Sequence, residues 1–268
     1  MKISDILPFI GCREFVALDF ETTGLNHQQD QVIEISAVRF IDGVITDDYT
    51  TLVKPDKDIP ENIIKLTGIS NEMVKDSPLI SSAFPELIKF IEGRKIVGHN
   101  IDFDIGFINK LSNKLDLDYS VEGVYDTLAL SRSFLFSFSF FSLEYLSNYF
   151  NFKITASHRA KSDASRSGLL FLKLIEHMLS FPIQIFNDII LISSKKMNNY
   201  LLYRDILDYK NKNADGDEFS PIIPFDIKDN ILIHESQKES HGKNTVDEYF
   251  EENGILSSNW KEYSYRQE

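Results

Sequence analysis

Two carboxylates, Asp19 and Glu21, stand at the end of an apolar run that begins at Phe15. The run consists of β-branched, aromatic and small apolar residues and predicts a buried strand. Side chains two residues apart on a strand share a face, so these carboxylates lie about 7 Å apart along the strand. Like charges held so close repel each other and lose water. Mg²⁺ or Mn²⁺ would relieve both costs, although a solvated strand end would also accommodate the pair.

A third carboxylate stands where a strand is followed by a helix. The segment from His99 to Ile108 comes after a short predicted strand and opens a helix, which places Asp104 in the first helical turn. A carboxylate is favourable there because the start of a helix carries partial positive charge. Taken alone, Asp102 or Asp104 is more typical of a helix cap than of a catalytic group.

A fourth carboxylate and a histidine stand at the start of a later helix. Residues 157–164 open this helix, with Asp163 near its start and His158 in the loop before it. The pKa of an imidazole lies near neutral pH, so His158 could transfer a proton. A lone histidine before a helix is more often structural, so each of these segments is weak evidence when taken singly.

The charge of the chain limits the kind of partner. Its net charge is −13, which argues against a passive, nonspecific nucleic-acid-binding module. It argues less against an enzyme whose bound metal ions supply positive charge. A local basic patch could meet a phosphate backbone, but such patches are more often solvated helix faces. The patch consists of Lys153, Arg159, Lys161, Arg166 and Lys173.

The elements that must position these residues follow from hydrophobic periodicity and turn signals. Strands are predicted over 14–21, 31–42, 44–54, 95–99 and 121–125, with a hairpin turn at Asp42–Gly43. Helices are predicted over 78–92, 102–115, 141–150 and 160–179, from Asp126 onward, and as short turns between Pro60 and Lys75. Three strands followed by alternating helices and strands predict an α/β domain with a mixed sheet.

Composition predicts a globular protein from a reducing compartment. The chain has 268 residues, 43% of them hydrophobic, which is enough for a sizeable core. Its one cysteine, Cys12, excludes an internal disulfide framework. There is no run of eighteen apolar residues, and the first residues lack a signal-peptide pattern. We therefore expect a cytoplasmic protein with no membrane segment.

The composition and hydrophobic pattern of the sequence change near Ser180, just before Pro182. We therefore predict a catalytic domain over residues 1–180 and an extension over residues 181–268. Within the extension, residues 183–209 have the pattern of an amphipathic helix pair, and residues 211–246 have the polar composition of a linker. All the candidate catalytic residues precede this boundary, so the extension is expected to be dispensable for catalysis.

Taken together, the motifs resemble the DEDDh, or DnaQ-like, family of 3′–5′ exonucleases over roughly residues 13–178. Asp-x-Glu ends a strand, His-Asn-x-x-Phe-Asp opens a middle helix, and His-x-x-x-x-Asp opens a late helix. The remaining matching segments are Glu21–Leu25, Leu66–Ile69, Tyr125–Leu128 and Ser142–Leu146, in the order and approximate spacing of that family. The resemblance implies an RNase H-like fold, a mixed sheet flanked by helices, and two divalent metal ions, Mg or Mn.

The resemblance also implies a role for each catalytic residue. Asp19 would bridge both ions, and Glu21 and Asp163 would hold the ion that activates water. Asp104 would help to hold the second ion near the leaving 3′ oxygen. His158 would take the proton from the attacking water. The chemistry agrees, since two cations about 3.5–4 Å apart can stabilise both oxygens of a phosphodiester displacement.

Five further residues match positions that line the terminal-nucleotide pocket of the family. Thr22, Thr23 and Leu25 would lie near the terminal nucleotide, with Leu25 wedged against the last base. Thr67 and Phe103 would line the same pocket. Leu25 and Phe103 could equally be ordinary core residues, because an apolar side chain at these positions is explained by packing alone.

The end of the chain suggests a larger context. Residues 244–268 resemble the region before the helicase core of DinG-type exonuclease–helicases, although Gly242-Lys243 lacks the glycine pattern of a Walker A loop. The leading hypothesis is a DNA 3′–5′ exonuclease that acts on single-stranded 3′ ends and releases nucleoside monophosphates, with a helicase domain or another DNA-processing partner. The alternatives are a proofreading exonuclease subunit of a replicative polymerase and a non-catalytic interaction module.

Overall fold

A five-stranded mixed sheet forms the centre of the computed structural model, which describes residues 3–152 and 160–213. The strands are β1 (Glu14–Thr22), β2 (Val32–Ile41), β3 (Val44–Leu52), β4 (Lys95–Gly98) and β5 (Gly123–Asp126), in the order β3-β2-β1-β4-β5. β2 is antiparallel to β1 and β3, whereas β4 runs parallel to β1 and β5 runs parallel to β4. The predicted α/β class with a mixed sheet is confirmed.

Ten helices surround this sheet in the described part of the chain. They are α1 (Ile3–Phe9), α2 (Glu61–Thr67), α3 (Asn71–Val74), α4 (Ile80–Ile91), α5 (Asp102–Leu115), α6 (Thr127–Phe134), α7 (Leu143–Tyr149), α8 (Ala160–Met178), α9 (Ile183–Ile192) and α10 (Tyr200–Lys212). All except α1 overlap predicted helices, but α10 continues to Lys212, past the predicted end at residue 209 and into the predicted linker. The seven residues of α1 are too few for a helical period to be recognised, yet its Ile6 and Leu7 are completely buried.

The hairpin between β2 and β3 forms at the predicted pair. Asp42 has φ 51° and Gly43 has φ 80°. Two successive positive φ values are what the tightest hairpin connections require, because they match the twist of the flanking strands. This turn fixes the register of β2 against β3, and β2 is in turn fixed against β1.

β1 is the central strand, and its two faces pack against different helices. Val16 and Leu18 belong to a core cluster that contains residues of α4 and α5, such as Phe84 and Phe107. On the other face, the ring of Phe15 contacts that of Phe171 in α8, with centroids 5.3 Å apart. Residues at odd positions of β1 therefore point toward α8.

α8 lies unusually close to the sheet at one glycine. A β-carbon added to Gly168 would come within 2.3 Å of the ring of Phe40 on β2. The Phe40 ring itself stacks on that of Phe15, with centroids 4.8 Å apart. The absence of a side chain at Gly168 therefore sets the distance between α8 and the sheet.

The helices α9 and α10 contact the rest of the described chain through buried groups. Lys210 Nζ donates to the carbonyl oxygen of Leu179 at 2.6 Å, and the buried Phe186 stacks on Phe134. The predicted boundary near residue 180 remains a prediction, and most of the predicted linker, with residues 244–268, lies outside the described residues.

No single helix within residues 3–152 and 160–213 is long and apolar enough to cross a membrane. α8 and α9 together satisfy the same length and composition criteria, but the pair bends by 117° at the break between them.

Candidate active site

The four predicted carboxylates, Asp19, Glu21, Asp104 and Asp163, line one pocket at the end of β1. The pocket wall is completed by Phe20, Leu66, His99, Asn100 and Phe103. These residues come from β1, α2, α5, α8 and the loop between β4 and α5. Segments more than 140 residues apart in sequence thus meet at one pocket. This is what the three motifs, taken together, predicted.

The strand period explains how three of the carboxylates meet. Asp19 and Glu21 occupy odd positions of β1 and therefore point toward α8, where Asp163 lies in the first turn. One carboxylate oxygen from each of the three lies within 4.8 Å of the others, and all three residues are half-buried. Carboxylate oxygens that share a Mg²⁺ at about 2.1 Å are at most about 4.2 Å apart. Small side-chain movements would therefore let this trio hold a divalent cation.

Asp104 approaches the same pocket from the first turn of α5. Its Oδ1 accepts a hydrogen bond from the backbone N–H of Phe20 at 2.9 Å, and its side chain is buried. This bond ties the start of α5 to the strand that carries Asp19 and Glu21. The side chain of Asp104 therefore does more than cap its own helix.

The pocket is electrostatically unfavourable without a cation. Burial raises the pKa of Asp19 well above its usual range, and the charges of Asp104, Glu21 and Asp163 raise it further. Burial also raises the pKa of Asp104, partly offset by the hydrogen bond from Phe20. Hard divalent cations prefer carboxylate oxygens and would remove this repulsion, so the donor set fits such an ion.

Two contacts in this region were not predicted from the sequence. Arg166 Nη1 donates to Asp163 Oδ1 at 3.0 Å, which joins residues one turn apart on α8. Glu34, only 1% exposed, lies opposite Glu21 in the β1–β2 register, and its Oε2 accepts from the N–H of Ala160 at 3.1 Å. The available signals were a basic residue three positions after Asp163 and an acidic residue inside an apolar strand.

The predicted basic patch is largely engaged with acidic residues. Besides the pair formed by Arg166, Lys161 Nζ lies 2.8 Å from Asp48 Oδ1, and Lys173 Nζ lies 2.9 Å from Glu176 Oε2. Lys153 and Arg159 lie outside the described residues. The described part of the patch is thus better explained as paired surface charge than as a phosphate-binding site.

His158, the predicted base, also lies outside the described residues, so its role stays a prediction. The histidine that borders the pocket is His99. Its Nε2 donates to the carbonyl oxygen of Phe141 at 2.8 Å, and its Nδ1 lies 3.0 Å from Thr127 Oγ1. Burial lowers the pKa of His99 to about 4, so the ring is neutral near pH 7. Both ring nitrogens are engaged, which indicates a structural role.

The predicted nucleotide-contacting residues differ in how their side chains are engaged. Thr22 and Thr67 donate their hydroxyl protons to nearby backbone carbonyls, those of Gly24 at 2.6 Å and Ile63 at 2.9 Å. Thr23 Oγ1 lies 3.3 Å from Asp30 Oδ1 and accepts from the N–H of Gln31.

The apolar members of that set are more available. Leu25 is 55% exposed, and Phe103 is half-buried at the pocket wall. Leu66, which sequence reasoning did not single out, lines the pocket and is 65% exposed. An exposed leucine beside a carboxylate pocket is a candidate surface for stacking on a base, and its signal was the segment Leu66–Ile69.

Comparison with known proteins gives a consistent result. Residues 16–171, more than half of the chain, match the RNase T family model, described as exonuclease. The PolC-type DNA polymerase III of Caldanaerobacter subterraneus subsp. tengcongensis is 38% identical over 194 residues, which cover 72% of this chain and 13% of that protein. The Staphylococcus aureus protein of the same name is 33% identical over 190 residues, covering 71% and 13%. The chain thus spans only about an eighth of the length of these relatives.

Among solved structures, the fold matches that of E. coli exonuclease I in its zinc-bound complex with single-stranded DNA. The TM-score is 0.55 and the sequence identity is 18%, and the match covers 66% of this chain and 43% of the other. At this identity the similarity concerns the fold, which is the RNase H-like exonuclease fold expected from the motifs.

Proposed function

Because the chain belongs to the RNase T exonuclease family, we propose that it is a metal-dependent 3′–5′ exonuclease that hydrolyses terminal phosphodiester bonds of DNA and releases nucleoside monophosphates. The observation that carries this proposal is the convergence of Asp19, Glu21 and Asp163 within 4.8 Å. Asp104 borders the same pocket from α5. Three acidic oxygens held together by rigid elements are arranged to bind cations, and a purely structural role would not favour their mutual repulsion.

We propose that Asp19, Glu21, Asp104 and Asp163 hold two divalent ions, Mg or Mn. When bound, such ions stabilise the charge that develops on the attacking and leaving oxygens. The chain itself supplies the ligands, the positioning of Asp104 by the Phe20 N–H, and the pairing of Asp163 with Arg166. In this mechanism His158 accepts the proton of the attacking water, because both ring nitrogens of His99 are engaged and its lowered pKa makes it a weak base.

In this proposal the pocket binds the terminal nucleotide of a single-stranded substrate. Leu66 and Phe103 offer apolar surface at the pocket, on which a base can stack whatever its identity. Leu25, four residues after Glu21, is 55% exposed and would add to this surface. The hydroxyl protons of Thr22 and Thr23 are already donated, to Gly24 and Asp30, so without a change of partner these hydroxyls could only accept from the terminal 3′-OH. We therefore propose contact with the base as the dominant interaction and contact with the hydroxyls as secondary.

The test is an assay with labelled oligonucleotides of DNA and RNA. We expect mononucleotide release from a free 3′ end, loss of the reaction in EDTA, and recovery on adding Mg²⁺ or Mn²⁺. An oligonucleotide blocked at its 3′ end and a closed circular single strand serve as controls and should resist cleavage. Rapid cutting of the circle would reject an exonuclease, and full activity in EDTA would reject the metal mechanism.

A role in proofreading is the second candidate, and the similarity to PolC-type polymerases favours it over the helicase association expected from residues 244–268. In this case the chain would act beside a polymerase active site. Preferential excision of a mismatched over a matched primer end would support this candidate. Equal rates on both ends would favour general exonuclease action instead. The non-catalytic module is rejected by any metal-dependent cleavage that Asp19→Ala abolishes.

A further inference from the structure

Asn199, just before α10, is bound to a residue 73 positions earlier in the chain. Its Oδ1 accepts from the N–H of Asp126 at 2.9 Å, and its Nδ2 donates to the carbonyl oxygen of Asp126 at 3.0 Å. Asn199 is only 3% exposed. Asp126 is the last residue of β5, an edge strand, so the amide occupies the place that a further strand would take. Few side chains can satisfy both backbone groups of one residue in this way.

Asp126 in turn holds the loop that enters the pocket. Its Oδ1 accepts from the N–H of Asn100 at 3.0 Å and from that of Leu128 at 2.8 Å. Asn100 has φ 65°, a backbone conformation that non-glycine residues adopt rarely and that surrounding contacts must maintain. Asn100 lines the pocket, four residues before Asp104. A chain of hydrogen bonds therefore runs from Asn199 through Asp126 to the carboxylate pocket.

The neighbouring residue reaches the same loop from another side. Asn198 Nδ2 donates to Asp102 Oδ1 at 2.8 Å, and Asp102 is the first residue of α5. Two successive asparagines thus hold the end of β5 and the start of α5. They are held in turn by α10, whose Leu202 and Ile206 are completely buried.

We propose that Asn199, assisted by Asn198, is a positioning residue of the nuclease: it fixes Asp126, and through it Asn100 and the first turn of α5, so that Asp104 is kept at the pocket. This inference rests on the proposed function. It also gives residues 181–213 a part in the site, in place of the dispensable role expected from the sequence. Groups that support metal ligands in this way typically change metal affinity or activity by about 10–100-fold when they are removed.

The experiment uses the full chain and three variants. Asn199→Ala removes both hydrogen bonds to Asp126, and Asn199→Asp keeps the acceptor but loses the donor. Lys210→Ala is the matched control, because it removes another buried contact of α10, with Leu179, away from the pocket. For each protein we would measure the melting temperature, kcat on a single-stranded DNA oligonucleotide, the Mn²⁺ concentration for half-maximal rate, and hydrogen exchange at the Asn100 amide.

For Asn199→Ala, per folded molecule, we expect kcat to fall or the required Mn²⁺ concentration to rise by about 10–100-fold. The Asn100 amide should also exchange faster, and Asn199→Asp should give a smaller change of the same kind. Lys210→Ala should lower the melting temperature while kcat and the Mn²⁺ requirement stay at wild-type values. If Asn199→Ala does not fold, Asn199→Asp and Asn198→Ala decide by the same measurements.

Two results would overturn the inference. One is wild-type kinetics and wild-type protection of Asn100 in the folded Asn199 variants. The other is an equal kinetic loss in Lys210→Ala, which would make the effect one of general stability. If the wild-type protein does not cleave DNA at all, the proposed function fails. The exchange rate of Asn100 then still decides whether Asn199 fixes the loop.

Discussion

The carboxylate pocket and the contact between α10 and the rest of the described chain are built on opposite principles. In the pocket, Asp19, Glu21 and Asp163 bring like charges together, and burial raises the pKa of Asp19 well above its usual range. At the α10 contact, the polar groups of Asn199 and Lys210 meet complementary backbone groups. Pocket residues should therefore contribute activity at a cost in stability. Residues of the α10 contact should contribute stability and have little effect on activity. Asn199 is the exception because its hydrogen bonds lead into the pocket.

The largest effect should come from Asp19→Ala. It removes the carboxylate that the proposal shares between both ions, so we expect the rate to fall by about 10⁴-fold or more, as when one member of a catalytic unit is lost. The measurement is kcat on a labelled single-stranded oligonucleotide, with circular dichroism as the control for folding. A folded variant that retains activity would show that the pocket is not the reaction site.

His158→Ala should have the next largest effect. If His158 accepts the proton of the attacking water, its loss should lower kcat by roughly 10²–10⁴-fold near neutral pH and leave DNA binding almost unchanged. Single-turnover kinetics measure the loss of rate, and a separate titration with DNA measures any loss of binding. Normal turnover combined with weak binding would make His158 a substrate contact rather than a base.

Arg166→Met tests the ion pair between Arg166 and Asp163. Arg166 orients Asp163, so we expect the Mn²⁺ concentration for half-maximal rate to rise by about 10-fold. Arg166→Lys keeps the charge but loses the planar guanidinium. Its Mn²⁺ concentration for half-maximal rate should lie between those of the wild type and Arg166→Met. Tighter metal binding by Arg166→Met would instead mean that Arg166 competes with the cation for Asp163.

Asp19→Asn should stabilise the metal-free protein. Because the folded state raises the pKa of Asp19, the stability linked to its protonation is complete below the unfolded pKa and is lost as pH rises through the folded pKa. The variant cannot ionise, so its melting temperature should exceed that of the wild type increasingly as pH rises from about 4. Each kcal/mol by which the variant is stabilised should raise its melting temperature by about 2–4 °C for a protein of this size. Added Mn²⁺ should stabilise the wild type more than the variant. If the variant were less stable than the wild type at every pH, the claim that the pocket carboxylates cost stability would be wrong.

The smallest effect concerns Lys210 at the α10 contact. Burial lowers its pKa from 10.5 to about 8, so the unfolded chain binds more protons between these values. The stability of the wild type relative to Lys210→Ala should therefore increase as pH rises from 8 to 10. Denaturant titrations at several pH values measure this difference, and a difference independent of pH would show that Lys210 titrates normally.

The same contrast explains what the sequence could predict. The face shared by Asp19 and Glu21 follows from the two-residue period of a strand, and the first-turn positions of Asp104 and Asp163 follow from local helix signals. The order of elements in the α/β sheet follows from similar local patterns. These patterns occupy a few consecutive residues, so a single sequence contains them.

The contacts that sequence reasoning missed join distant segments. Asn199 meets Asp126 across 73 residues, and Glu34 meets Ala160 across 126. An asparagine before a helix and a glutamate inside a strand have no local feature that identifies the partner. Only the packing of α8 on β1 and β2, and of α10 beside β5, brings each pair together.

The close approach of Gly168 to Phe40 has an evolutionary consequence. Any β-carbon at position 168 would overlap a ring on the neighbouring strand, and that ring is wedged against Phe15. Neither position can then drift freely: an alanine at 168 becomes acceptable only after a smaller side chain replaces the ring at 40. The two sites should therefore covary among descendants of this chain, and an intermediate with alanine at 168 beside an intact Phe40 ring would be selected against.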